Sequence, residues 1–356
     1  MTVCVKAALL LAAVVVAPTA LAASNNLAGT WQKLPPAPAA VFGTSVWTGK
    51  QLVVVGRQPF KSVAVAESYD PVAKTWTRLT PPAKLGSDPS CCTSVWTGKR
   101  VLVWGAFSGA AYTPATDAWK TLPRTIQGGI LAWTGREAIS WGGGCCGDAR
   151  SNGRAYNPAT GSFRRLPRSP LAPNQRPVGA WTGRELVLFV SGLTPDGRPY
   201  PRALARAAAY NPTTNAWRRI AAMPGGGGQA LWDGHELLVI GAGAWGAFTK
   251  LTLAYNPATN RWRRLASLPF SANGATAVWS GSRVFLWTSA RGLTYDPATN
   301  RWSTLPRWPL RARGGPMVAW TGRSLIVWGG EIGTPAGTSV SPKFPLDGAA
   351  FTPASP

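Results

Sequence analysis

Seven short turns carry a basic or imidazole side chain at matching places: Lys50, Lys99, Arg136, Arg184, His235, Arg283 and Arg323. Like charges gathered in a ring repel, so a fold that assembles them gains when an anion binds or salt screens them. A second group, Arg124, Arg176 and Arg313, falls shortly before apolar runs, at positions that belong to the opposite end of those runs. Glu137, Glu185 and Glu236 directly follow three of the turn residues and offset part of that field; they are expected to pair with nearby arginines. The whole chain carries a net charge of +24, from 37 basic and 13 acidic side chains. Preference for arginine over lysine is explained by a GC-rich genome, but the shortage of acids is not, so the positive field is physical.

Other chemistries are poorly supplied. The single histidine, His235, sits in an Asp233-Gly234-His235 turn where other copies have Lys or Arg, and nothing else resembles a usual zinc or copper ligand set. Acid/base hydrolysis needs paired carboxylates. Asp88, Asp148, Asp196, Glu331 and Asp347 lie in loops that can converge, although solvated loop positions and Asx turns explain them more simply. The glycine runs at Gly142–Gly144 and Gly225–Gly228 lack the Gly-Lys-Ser/Thr of a phosphate loop. Of five cysteines, Cys4 lies in the leader; Cys91, Cys92, Cys145 and Cys146 remain, an even number that argues for two disulfides in an exported chain. Bridges between the two vicinal pairs are favoured over bridges within them, because joining adjacent residues strains the peptide; two such connectivities stay open.

The elements that must position these residues repeat. Trp320-Thr-Gly-Arg-Ser-Leu-Ile-Val-Trp-Gly-Gly330 reads as two short strands around a tight turn, and the same phrase starts at Trp47, Trp96, Trp133, Trp181, Trp232 and Trp279. A second phrase follows the first six: Tyr255-Asn-Pro-Ala-Thr-Asn-Arg-Trp262 and Tyr295-Asp-Pro-Ala-Thr-Asn-Arg-Trp302 are examples, a hairpin whose flanking aromatics are expected to pack across the turn. Four strands per unit, with units of roughly forty to fifty residues, indicate propeller blades. The seventh unit stops after Phe351-Thr352-Pro353 and lacks its Trp-x-x-Leu-Pro strand, which Trp31–Pro35 supplies. The expected fold is therefore all-β: a seven-bladed propeller of four-stranded antiparallel blades, closed by Trp31–Pro35 pairing with Gly348–Thr352. Arg164-Arg165, Arg218-Arg219 and Arg263-Arg264 fall on the outermost strands, where charge blocks edge pairing.

The pattern apolar-x-x-Gly-Lys/Arg, apolar run, Gly-Gly, then Tyr-Asp/Asn-Pro-x-Thr-x-x-Trp-x-x-Leu-Pro resembles the kelch repeat and covers nearly all of the chain from Gly29 to Pro353. The Gly-Gly is complete at Gly142-Gly143 and Gly329-Gly330, reduced to one glycine at Gly56, Gly105 and Gly241, and absent after Trp287. The resemblance implies that the first strand of each blade lines the axis. Galactose-oxidase-like enzymes share this fold, with a copper site of two histidines, tyrosines and a Cys–Tyr crosslink; one histidine cannot build it.

Residues 1–22 read as a signal peptide: Lys6, an apolar run from Ala7 to Ala17, Pro18 and an Ala20-Leu21-Ala22 cleavage site. Residues 23–356 then form one domain in a secreted, periplasmic or envelope-associated protein with no transmembrane segment after cleavage. The first reading is a non-catalytic binding or scaffold protein whose partners are a protein, an anionic polysaccharide or another envelope component, without cofactor or metal and without specific nucleic-acid binding. A carbohydrate-active enzyme with its site on the loop face is the alternative, and a purely structural secreted domain the third.

Overall fold

The computed structural model describes residues 26–61, 63–82, 93–105, 109–123, 129–144, 148–190, 206–243, 249–272, 274–289, 291–333 and 341–354. Strands β1 (Gly29–Lys33) to β28 (Gly348–Pro353), numbered in chain order, make up all of its regular structure. They form seven antiparallel sheets of four strands. In the first sheet the order is β2 (Phe42–Trp47), β3 (Leu52–Arg57), β4 (Ala64–Asp70) and β5 (Thr75–Arg78), and five more follow the same chain order. The innermost strand of each blade touches that of the next, and β2 touches β26 (Met317–Trp320), so the ring is closed.

Burial follows position along the radius. The second strands are the apolar runs of the sequence, and β27 (Leu325–Trp328) is buried at every residue. Their side chains pack between blades: Ile326 and Trp328 of the seventh blade meet Leu52 and Val54 of the first. Outermost strands such as β21 (Arg261–Arg264) stay largely exposed apart from the tryptophan.

That tryptophan is fixed twice. Across its hairpin it meets the tyrosine, as in Tyr210–Trp217 and Tyr295–Trp302, both with centroids 5.1 Å apart. Its indole N–H then donates to a carbonyl of the preceding blade: Trp262 to Ala221 at 3.0 Å, Trp302 to Ala266 at 2.9 Å, Trp31 to Pro306 at 3.0 Å and Trp76 to Pro35 at 3.1 Å. The third blade carries Phe163 here and has no such donor. The residue before the outer strand is left-handed; Asn215, Asn260 and Asn300 have φ of 51°, 54° and 51°. Asparagine tolerates that region, and each amide oxygen accepts the hydroxyl of its own blade's tyrosine at 2.7–2.8 Å.

The seventh sheet runs β1-β28-β27-β26, so a strand from the start of the chain forms its outer edge. Trp31 lies opposite Phe351. Its ring packs edge-on against Trp308 at 4.9 Å and Trp287 at 5.6 Å. The strand ends at Lys33 rather than at the expected Pro35, because proline has no N–H for the ladder; Leu34 makes one further bond, to the Gly348 carbonyl at 2.9 Å. Just beyond, Leu34, Ala37 and Val41 pack into the seam between the seventh and first blades.

Candidate anion site on the turn face

The turns between first and second strands are built alike. In the Thr182–Glu185 turn the threonine hydroxyl accepts the Glu185 N–H and donates to its carbonyl, both at 3.1 Å, and Gly183 takes the positive φ of 85° that the turn needs. This leaves the third turn residue exposed and turns the fourth toward its own blade. Lys50, Lys99, Arg136, Arg184, His235 and Arg323 hold the exposed third place. Arg283 does not: Ser280 bonds Arg283 as Thr182 bonds Glu185, so Ser282 takes the third place and Arg283 the fourth. Arg283 reaches Asp296 at 3.0 Å. The one-residue offset was hidden because the Ser280-Gly281-Ser282-Arg283 turn moves its cation by one place.

Fourth-place acids pair as expected. Glu137 is gripped by Arg164, with Nε to Oε1 at 3.1 Å and Nη2 to Oε2 at 2.6 Å. Glu185 and Glu236 hold Arg218 and Arg263 in the same two-pronged way. The guanidinium of Arg164 also crosses to the next blade, donating to Tyr210 Oη at 2.8 Å and Asn215 Oδ1 at 2.9 Å. The Glu137 carboxylate, followed by the Tyr210 hydroxyl, raises the arginine's pKa further above its ordinary value. Burial pushes Tyr210 up as well, so at neutral pH it stays a neutral hydroxyl.

Between the third and fourth blades these features enclose a cleft of about 680 Å³. The turn after β10 (Ile130–Trp133) brings Arg136 and Glu137, and β13 (Ser162–Arg165) brings Arg164. Trp181, at the end of β14 (Val178–Trp181), lines it together with Arg184 of the following turn. Among the described residues neither Arg136 nor Arg184 has a side-chain partner, whereas the cleft's one carboxylate is already held by Arg164. The cleft thus offers two unpaired guanidinium groups beside an indole. The other turn cations do not line it, and Lys50 lies near Asp70, whose carboxyl is held low first by the Ala73 amide and also by that lysine.

The second expected group divides. Arg176 reaches the axial cavity, about 730 Å³, at the opposite mouth, with Thr44, Thr93, Ser94 and Gln229 among its polar neighbours. Arg313 does not stand at a mouth. It is 2% exposed, and its Nη1 donates to Asp347 Oδ1 at 2.7 Å and to the Asp347 and Gly329 carbonyls at 3.1 and 3.3 Å. It ties the segment before β26 to the connection before β28, a structural role. Arg313→Met should lower unfolding stability by about 3 kcal/mol in denaturant melts, because the carbonyls and Asp347 lose their only common donor. Arg124, Cys91, Cys92, Cys145 and Cys146, and with them the disulfides, lie outside the described residues, as do Asp88 and Asp196.

None of the described cavities gathers the remaining loop acids. Asp148 meets Arg150 at 3.2 Å, Asp347 is held by Arg313, and Glu331 lines a separate cleft at the seam. Sequence reasoning missed Glu67, on β4, which is fully buried with neither carboxylate oxygen hydrogen-bonded. Desolvation raises its pKa to about 7, against the opposing pull of the Arg78 guanidinium. The signal was in the repeat: two residues before the tyrosine, four other blades carry Ala110, Ala208, Leu253 and Leu293, and the third carries Arg154.

No family model matches the chain, and no curated protein matches it. Among solved structures, a copper-bound fungal alcohol oxidase of the AA5 family superposes with a TM-score of 0.70 at 13% identity, over 92% of this chain and 77% of that one. The fold is the kelch-type seven-bladed propeller. Likeness at that identity carries the fold alone. A copper site does not fit this chain's residues. Its single histidine is exposed in a turn, the described lining of the axial cavity holds no His, Tyr, Cys or acid, and no three His, Cys, Asp or Glu side chains cluster among the described residues.

Proposed function

We propose that this kelch-type propeller is a non-catalytic binding protein, exported to the cell envelope or beyond, that holds anionic polysaccharide on its turn face. The observation that carries the reading is the cleft between the third and fourth blades, with Arg136 and Arg184 unpaired beside Trp181. An indole edge or face packs against sugar C–H groups, and a guanidinium fork matches a carboxylate or sulfate. Lys50, Lys99 and Arg323 sit at equivalent exposed turn positions on the same face and extend the positive field along a longer chain. The carbohydrate-active enzyme reading draws on the fold of the alcohol oxidase. It is less supported, since neither cavity gathers paired, unengaged carboxylates among the described residues.

Binding to heparin and to polygalacturonate, measured by calorimetry across a salt series, tests the proposal. Affinity should fall with added salt, and R136Q/R184Q should lose about tenfold per guanidinium and flatten the salt dependence. A double variant that binds as tightly as the parent, with the same salt slope, removes the cleft as the site.

A further inference from the structure

The loop face, on the far side from the turns, presents an apolar tip that the propeller core does not use. Phe60, at the apex of the β3–β4 hairpin, is 71% exposed and Val63 beside it 54%. The hairpin is well formed: Gln58 N–H donates to the Val63 carbonyl at 2.9 Å and Lys61 N–H to the Gln58 carbonyl at 3.1 Å. Phe60 is held there at a φ of 60°, in the left-handed region that bulky residues avoid. Its ring meets Phe344 edge-on at 5.5 Å, and Phe344 meets Phe42 at 6.2 Å. Three phenyl rings therefore run across the seam between the first and seventh blades.

Exposed lysines flank this row. Lys61 follows Phe60 and Lys343 precedes Phe344. Of the nearby acids, Asp347 is engaged by Arg313, and Glu331 lies in the adjoining cleft. Apolar side chains at a protruding hairpin apex, beside ammonium groups, match a bilayer interface: rings enter the boundary between headgroups and acyl chains, and lysines remain with anionic headgroups. Phe60 and Val63 stand on a protruding hairpin apex rather than in a groove, the arrangement that lets apolar side chains enter a lipid interface.

We propose that the seam of the ring docks the protein on an anionic lipid bilayer, with Phe60 and Val63 entering the interface and Lys61 and Lys343 on the headgroups. This contact is independent of the anion cleft, which lies on the opposite face.

The full chain would be sedimented with vesicles of phosphatidylcholine alone and of phosphatidylcholine mixed with phosphatidylglycerol, and injected beneath monolayers of the same lipids. The parent should bind the mixed vesicles and raise the monolayer pressure. Phe60→Ser should abolish the pressure rise and weaken vesicle binding about tenfold, while heparin binding stays intact as a check on folding. K61Q/K343Q should weaken binding to the mixed vesicles by about fivefold per lysine. The proposal is overturned if Phe60→Ser inserts and partitions as the parent does, or if the parent binds vesicles without raising the pressure. It is equally overturned if sedimentation without lipid shows a dimer that Phe60→Ser dissolves, which would make the tip a contact between copies.

Discussion

A chain lacking residues 23–35 should lose its cooperative melt and aggregate on warming. That segment supplies β1, which pairs with β28 along five residues from Gly29–Pro353 to Lys33–Ala349. Without it the outer edge of β28 is an open row of unpaired N–H and C=O groups, an invitation to pair with another chain. Trp31 also leaves, and with it the cover over Trp287 and Trp308, which are only 1% and 8% exposed in the intact ring. Trp31→Ala isolates the packing part of this effect and should cost about 3 kcal/mol while leaving the ladder in place. Scanning calorimetry with light scattering checks both variants. A deletion variant that melts as the parent does would show that β1 is dispensable.

Glu67→Gln should stabilise the protein by about 3 kcal/mol above pH 7 and have little effect below pH 4.5. Burial places the folded pKa near 7, above the ordinary carboxylate value of 4.5. Between those values the folded state binds more protons than the unfolded one, so stability falls as pH rises through that window and levels off beyond it. The ionised carboxylate is then fully buried with no hydrogen-bond partner, near Ala39 in the segment that follows the closing strand. Glutamine keeps the shape and removes the charge. Denaturant melts at pH 4.5 and pH 8 decide it: the parent should be less stable at the higher pH by a margin that the variant lacks. An equal pH dependence in both proteins would mean that the carboxyl is not the responsible group.

Much of the fold was legible because each blade repeats one physical solution. The apolar second strand and the glycine turn recur seven times and the Tyr…Trp hairpin five times, local patterns from which the ring and the missing strand follow. Indole bonds between blades were not legible, since their acceptors are backbone carbonyls set by the ring's geometry. The site was read less well. Sequence spacing put Arg136 and Arg184 on one face, but only the packing of the third blade against the fourth shows that they share a cleft with Trp181. Arg313 looked like an exposed cation because its partner, Asp347, lies on a distant connection. Arg283 was misplaced by a single residue, which in a turn decides whether a side chain faces solvent or its own blade.

The closing strand also sets an order of events. Trp31 bonds Pro306 across 275 residues, and β1 pairs with β28, so the first strand of the ring to be synthesised waits for the last. Earlier blades can form their local hairpins during synthesis, since these contacts are close in sequence. The seventh cannot be completed until its third strand has emerged. A ribosome that stalls before Gly348 therefore releases a chain with a permanently vacant edge, recognisable by chaperones and proteases as unfinished. The architecture thus makes synthesis of β28 the step on which completion of the ring depends.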